Sequence, residues 1–224
     1  QGYVALIAEG RFADAYRTII QDNPFPSICG RVCNHRCEEA CSRAEIDAAV
    51  NIMALKRFVA DWAADHWAEV EEVLHKPSGE AAKEDQALPL EGKRVAVVGS
   101  GPAGMSCALD LVHQGSAVAV FEALPVPGGM MRVGVPAHRL PPDVVQREID
   151  RITDQGVELQ LNSRVDNIEA LLGKYDAVFV GIGAHAGVKL PIPGNDLPQV
   201  LMATDFLRQT SLRTAGKDPT DQVR

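Results

Sequence analysis

A chain of 224 residues with 46% hydrophobic content can bury one good core plus a smaller satellite domain, which excludes a wholly disordered protein. Its formal charge of −8 disfavours a nucleic-acid partner, because phosphate binding asks for a basic field. No apolar run approaches the roughly 20 residues of a membrane span, and no signal or transit sequence is apparent, so a cytoplasmic protein with no membrane span is expected. The chain opens at Gln1 without a methionine and ends in a polar stretch after Ala215, and is expected to be a piece of something longer.

Residues 1–74 read as helical. Tyr3, Leu6 and Ile7, then Phe12, Ala15, Tyr16 and Ile19, follow a 3.6-residue period, with Gly10 between them as a C-cap and turn. Cys29, Cys33, Cys37 and Cys41 come next, at an unbroken C-x3-C-x3-C-x3-C spacing. Such spacing suits several soft thiolates meeting one soft inorganic centre. Two disulfides in a secreted domain are the first alternative, disfavoured by the lack of an export segment and by the distance of Cys107, which lies in an apolar helix. Structural zinc is the second, although its ligands usually come as C-x2-4-C knuckles parted by a longer spacer, and even spacing leans towards iron and sulfide. In one continuous helix Cys29 and Cys41 would stand roughly 18 Å apart at 1.5 Å rise per residue. Either the backbone turns, at Gly30 or at Asn34-His35, or the thiols serve more than one cluster.

After the cysteines, Ile52, Leu55, Phe58, Val59 and Trp62 mark a second apolar face, expected to be core. Residues 75–93 carry much charge and no period, and read as a linker. From Arg94 the pattern becomes alternating strand and helix, which implies a parallel sheet. The expected elements are strand Arg94–Val98, helix Pro102–His113 closed by Gly115, strand Ala117–Phe121, helix Pro142–Gln155, and strands Val157–Leu161 and Ala177–Ile182.

Gly99-Ser100-Gly101-Pro102-Ala103-Gly104 follows the first strand and opens a helix, the context in which a glycine fingerprint signifies a dinucleotide site. Gly99 permits the turn, Gly101 lets backbone approach a pyrophosphate, Gly104 lets helix and strand pack closely, and Pro102 sits where a missing N–H costs nothing. The helix N-terminus offers free N–H groups to the phosphates. Glu122 ends the second strand, 21 residues after Gly101, where an acid accepts hydrogen bonds from the ribose hydroxyls and repels a 2′-phosphate. FAD or NAD therefore suits the site better than NADP. Gly128, Gly129 and Met130 follow, and paired glycines there allow a close approach to a ligand extending beyond one nucleotide, with Arg132 or Arg139 adding charge. Residues 175–184 put small side chains at another strand end.

With these motifs in order, the chain resembles the amino-terminal part of the glutamate synthase small subunit family, which includes the flavin and iron–sulfur half of dihydropyrimidine dehydrogenase. The resemblance rests on Asn23–Cys33, Cys37–Cys41, Val95–Gly104, Gly134–Pro141 and Tyr175–Ala184 followed by Pro193–Asp196, and so covers nearly the whole chain. It implies an α-helical domain holding two [4Fe-4S] clusters, packed on an α/β Rossmann-like FAD-binding domain of which only the first part is present. By that comparison Gly99 to Ala103 hold the pyrophosphate, Glu122 the ribose, Gly128 to Met130 the middle of FAD, Arg139 a phosphate or flavin-side group, and Val165 the adenine through its backbone. Cys33, Cys37 and Cys41 match cluster ligands. Three departures stand out: the family's other cysteines precede Gln1, Lys56 stands where some members carry a glutamine ligand, and the family inserts an NAD(P)H domain after the segment ending near Arg213. Cys29 is expected to substitute for the missing ligand.

The implied function is electron transfer from NAD(P)H, bound by a domain absent here, through FAD to the clusters and an electron-accepting protein partner. The flavin converts two-electron hydride into single electrons, so no side chain is nominated as acid or base. Two alternatives come from other classes, an interaction module with structural clusters and a zinc-bearing Rossmann binding domain.

Overall fold

The computed structural model describes residues 2–75 and 88–217, in two compact units spanning Gln1–Gln86 and Ala87–Arg224. Most of the stretch expected to be a linker, residues 76–87, lies outside the described residues.

The first unit is helical: α1 (Gly2–Ala8), α2 (Phe12–Asp22), α3 (Pro26–Val32), α4 (Arg36–Glu39), a 3₁₀ turn at Ser42–Glu45, α5 (Ile52–Asp65) and α6 (Trp67–Leu74). Gly10 closes α1 at φ 74°, with Gly10 N–H donating to Ile7 and Arg11 N–H to Leu6, the paired bonds of a Schellman ending. The apolar stripes meet as expected. Ala15, Tyr16 and Ile19 of α2 bury against Val59, Ala60 and Ala63 of α5 and Val70 of α6, with Tyr3, Leu6 and Ile7 packed alongside. Each fully buried side chain of valine or isoleucine size there contributes on the order of 1.5–3 kcal/mol, and each alanine less. Phe58 departs from the expectation of a core residue: it is 47% exposed and meets Phe12 edge-on at 5.1 Å.

Gly30 does not break the helix. It lies inside α3, and a Cβ there would stand 2.7 Å from the Arg57 Cα, so its missing side chain lets α3 and α5 approach. The chain turns instead at His35, which takes the left-handed conformation at φ 40° between α3 and α4.

The second unit is a parallel four-stranded sheet with order β3-β2-β1-β4, built from β1 (Arg94–Val98), β2 (Ala117–Phe121), β3 (Glu158–Gln160) and β4 (Ala177–Val180). The intervening helices are α7 (Pro102–His113), α8 (Met130–Val133), α9 (Pro142–Thr153) and α10 (Ile168–Leu172), with α11 (Ala203–Thr214) last. Central β1 buries Val95, Ala96, Val97 and Val98, the unbroken apolar run of a strand covered on both faces. Gly115 ends the α7 turn at φ 94°, as its position after His113 suggests. The third and fourth strands are shorter than expected, and α8, α10 and α11 appear in addition. Chain order reverses beside β1, where β2 leaves on one side and β4 pairs on the other. In open α/β sheets ligands bind at such a switch point, outside the carboxyl ends of the strands.

Candidate cofactor cavity and cysteine segment

A cavity of about 460 Å³ opens at that edge, within the roughly 300–1,000 Å³ usual for small-molecule sites. Its wall combines the turn after β1, the end of β2, the Gly129-Met130 turn, the segment after β3 and the residues following β4. Of the residues expected to hold a cofactor, Gly99, Gly101, Pro102, Ala103, Glu122, Gly129, Met130 and Val165 line it.

Gly101 carries the most information. Its φ of −68° and ψ of 179° suit any residue, and a Cβ built on it meets no protein atom within 4 Å. Neither backbone conformation nor protein packing calls for glycine here. The added carbon would project into the cavity, which fits a backbone that must touch a ligand. The other glycines answer to the protein. Gly99 has φ 104° and lies against the Gly181 carbonyl, while a Cβ on Gly104 would come 1.9 Å from the Gly99 carbonyl oxygen. Gly128 (φ 105°) packs on Val145, and a Cβ on Gly129 would reach 2.9 Å from the Gly101 Cα. These close approaches bring the turn after β1 and the Gly128-Gly129 turn together into a cradle that fits an extended dinucleotide such as FAD.

Glu122 is 6% exposed and bound by the protein itself: Oε2 accepts from Ser100 N at 2.9 Å and Ser100 Oγ at 2.6 Å, and Oε1 accepts from Leu124 N at 2.8 Å. Ser100, Gly104 and Gly128 do not line the cavity. Arg139 is exposed and outside the lining as well, so nothing in its placement supports a phosphate or flavin-side role. Burial holds the Arg132 guanidinium below its ordinary value, and it donates to the Pro142 carbonyl at 2.8 Å.

Sequence reasoning missed the polar side chains brought by distant segments. Arg164, His185 and Arg208 all line the cavity. Arg208 is 7% exposed and paired with Asp205, so a buried cation faces a cavity suited to phosphates. The signal in sequence was faint, an arginine three residues after an aspartate on one helix face.

All five cysteines stand as free thiols. Cys29 lies within α3 with its sulfur 3.6 Å from Asn23 Oδ1, Cys33 follows that helix, Cys37 sits exposed in α4, and Cys41 precedes the 3₁₀ turn. Hydrogen bonds from the Val50 and Arg43 backbone hold the Cys41 thiol below its ordinary value, favouring thiolate. Burial, then the nearby Cys37 and Glu38, push the Tyr3 hydroxyl up, and Lys56 Nζ stands 5.9 Å from the Tyr3 ring centroid. Among the described residues no group of three or more His, Cys, Asp or Glu side chains converges so as to hold a metal ion. The donor type fits an iron–sulfur cluster, and the placement spreads the four thiols along the segment rather than around one centre.

Comparison with known proteins agrees with both halves. Residues 1–68 match the family described as dihydropyrimidine dehydrogenase domain II, 4Fe-4S cluster, and residues 93–218 match pyridine nucleotide-disulphide oxidoreductase. The chain is 42% identical over 200 residues to the NADPH-Fe(3+) oxidoreductase subunit beta of Geobacter sulfurreducens, covering 87% of this chain and 28% of that protein. It is 33% identical over 219 residues to the glutamate synthase [NADPH] small chain of Escherichia coli, covering 96% and 44% respectively. A 2-naphthoyl-CoA reductase bound to 2-naphthoyl-CoA shares the fold over 92% of this chain and 30% of that one, with TM-score 0.52 and 22% identity. The chain spans less than half the length of each of these proteins. The resemblance to the glutamate synthase small subunit family holds, and the expected cofactors, FAD and [4Fe-4S], are those of the two matched domains. Among the described residues no helix is long and apolar enough to cross a membrane. With more than half of its length in that match, and a glycine turn, switch-point cavity and parallel sheet to go with it, the chain belongs to the pyridine nucleotide-disulphide oxidoreductase family.

Proposed function

We propose that this chain is the FAD-binding and cluster-bearing input part of an NAD(P)H-dependent oxidoreductase that passes electrons to a protein partner. The observation that carries the reading is Gly101, a glycine whose only demand for smallness comes from the cavity side. Bound FAD would supply the conversion between two-electron hydride and one-electron transfer. The chain's own residues would bind and orient it. Backbone N–H groups at the start of α7 face the pyrophosphate, Glu122 accepts from the adenosine ribose, Gly129 and Met130 border the middle of the cofactor, and the Val165 backbone meets the adenine. Arg208 would neutralise phosphate charge from the far wall.

In the helical unit, Cys29, Cys33, Cys37 and Cys41 are proposed as cluster ligands divided between centres, with further ligands from outside the described residues. The domain division proposed is 1–74 for the cluster domain and 94–224 for the FAD domain, with 75–93 between. Five cysteines without a disulfide suit a reducing compartment such as the cytoplasm. The names of the relatives support a nicotinamide donor, being NADPH-dependent themselves.

An optical spectrum of the full-length protein tests the reading. Flavin bands and a broad brown shoulder, both bleached by NADPH or NADH, are expected. A shoulder that never bleaches would favour structural clusters, and colourless protein would favour zinc.

A further inference from the structure

Ser100 stands between two glycines that line the cavity, yet it is fully buried and faces away from it. Its N–H and its hydroxyl both turn to protein. Its backbone N–H donates to Glu122 Oε2 at 2.9 Å, its hydroxyl donates to the same oxygen at 2.6 Å, and the hydroxyl oxygen accepts the Gly128 N–H at 3.1 Å. One hydroxyl thus joins three segments that are distant in sequence: the turn after β1, the end of β2, and the turn leading to Gly129 and Met130.

We propose that Ser100 is a positioning residue of the cofactor site, fixing the Glu122 carboxylate and seating the Gly128-Gly129 turn, rather than a ligand of the pyrophosphate. The inference rests on reading the cavity as an FAD site. A carboxylate at a strand end can rotate about its side-chain bonds, and a ribose hydroxyl meets it well in only one orientation. Two donors from Ser100 and one from Leu124 hold Glu122 in one rotamer while it still borders the cavity. The hydroxyl donates and accepts through one atom, which alanine cannot imitate. Without it Gly128, itself buried, keeps an N–H with no partner. Threonine retains the hydroxyl and adds a methyl group.

The test uses the full-length protein stripped of flavin and titrated with FAD and with ADP, a probe of the adenosine half. Wild type should bind both, and Ser100→Ala should weaken both by about tenfold or more, as for loss of a hydrogen bond to a charged group. Iron content should be unchanged. Ser100→Cys, nearly isosteric with a weaker donor, should fall between, and Ser100→Thr should restore most of the affinity. The double variant Ser100→Ala/Glu122→Gln should lose clearly less than the sum of the two single losses, because part of what Ser100 does runs through that carboxylate. Wild-type affinity in both Ser100→Ala and Ser100→Cys, a lowered Tm with unchanged affinity, or fully additive losses would each overturn the proposal. Failure of wild type to take up FAD would overturn the reading of the cavity itself, a result distinct from the others.

Discussion

The helical unit carries its four candidate ligands within residues 29–41, whereas the sheet unit draws its cavity wall from positions spread between 98 and 208. Nearness in sequence and nearness in space run opposite ways. The thiols, four positions apart, are strung along two short helices and a turn, and among the described residues no three gather. The cavity residues converge because parallel strands all end at one edge of the sheet, so that any residue following a strand arrives there. A spaced motif therefore announces a chemistry more surely than it announces a geometry.

The comparison breaks most visibly at the cysteines. Cys33→Ser and Cys41→Ser should each abolish iron and acid-labile sulfide at the affected centre, since a serine oxygen is too hard and too basic to replace thiolate. Flavin absorbance should persist, because the cavity is built from the other unit alone. If the four thiols divide between two centres, Cys29→Ser should remove iron from one and spare the other. Iron counts and EPR spectra of the full-length variants decide this, and full iron in Cys33→Ser and Cys41→Ser would count against cluster ligation.

Two glycines three positions apart, Gly101 and Gly104, sharpen it further. Gly104→Val should cost the sheet unit its fold, because the Cβ would lie 1.9 Å from the Gly99 carbonyl oxygen, inside any allowed contact. Gly101→Val should fold, since its Cβ meets only the cavity, and should lose FAD. Circular dichroism separates the pair and flavin content reads the second. Stoichiometric FAD in a folded Gly101→Val protein would mean the cofactor lies elsewhere.

Much of the sheet unit was legible. Val95–Val98 and Val118–Val120 are continuous apolar runs of the kind that only a strand covered on both faces uses, and Gly115 marks the end of its helix by chemistry alone. What escaped was set by contacts across the chain. Gly30 looks like a helix breaker until Arg57 is placed against it. Ser100 looks like part of a phosphate loop until Glu122, 22 residues on, is seen to take both its donors. In sequence Arg139 stands out as a candidate cation and Arg208 does not. The sheet leaves the first exposed and brings the second, from α11, into the wall of the cavity.

The smallest expected effect concerns how the last strand is fastened at its other end. Asp176 precedes β4, where Oδ2 accepts the Arg94 N–H at 2.9 Å and Oδ1 meets Lys93 Nζ at 3.2 Å, while its own N–H donates to the Arg94 carbonyl. The bond from the Arg94 backbone, then the contact with Lys93, hold the Asp176 carboxyl below its ordinary value. A carboxyl whose folded value is depressed stabilises the fold above its unfolded value, and that contribution fades as pH falls through the folded one. Asp176→Asn should therefore lower Tm slightly near neutral pH, by less than any core change, because both partners are exposed and screened by salt. The gap between variant and wild type should close as pH falls through the depressed folded value, where wild type loses the same charge. A gap that persists unchanged into acid would assign the effect to the shape of the side chain rather than to its charge, and the β1–β4 ladder that places Gly181 against Gly99 would then owe nothing to this ion pair.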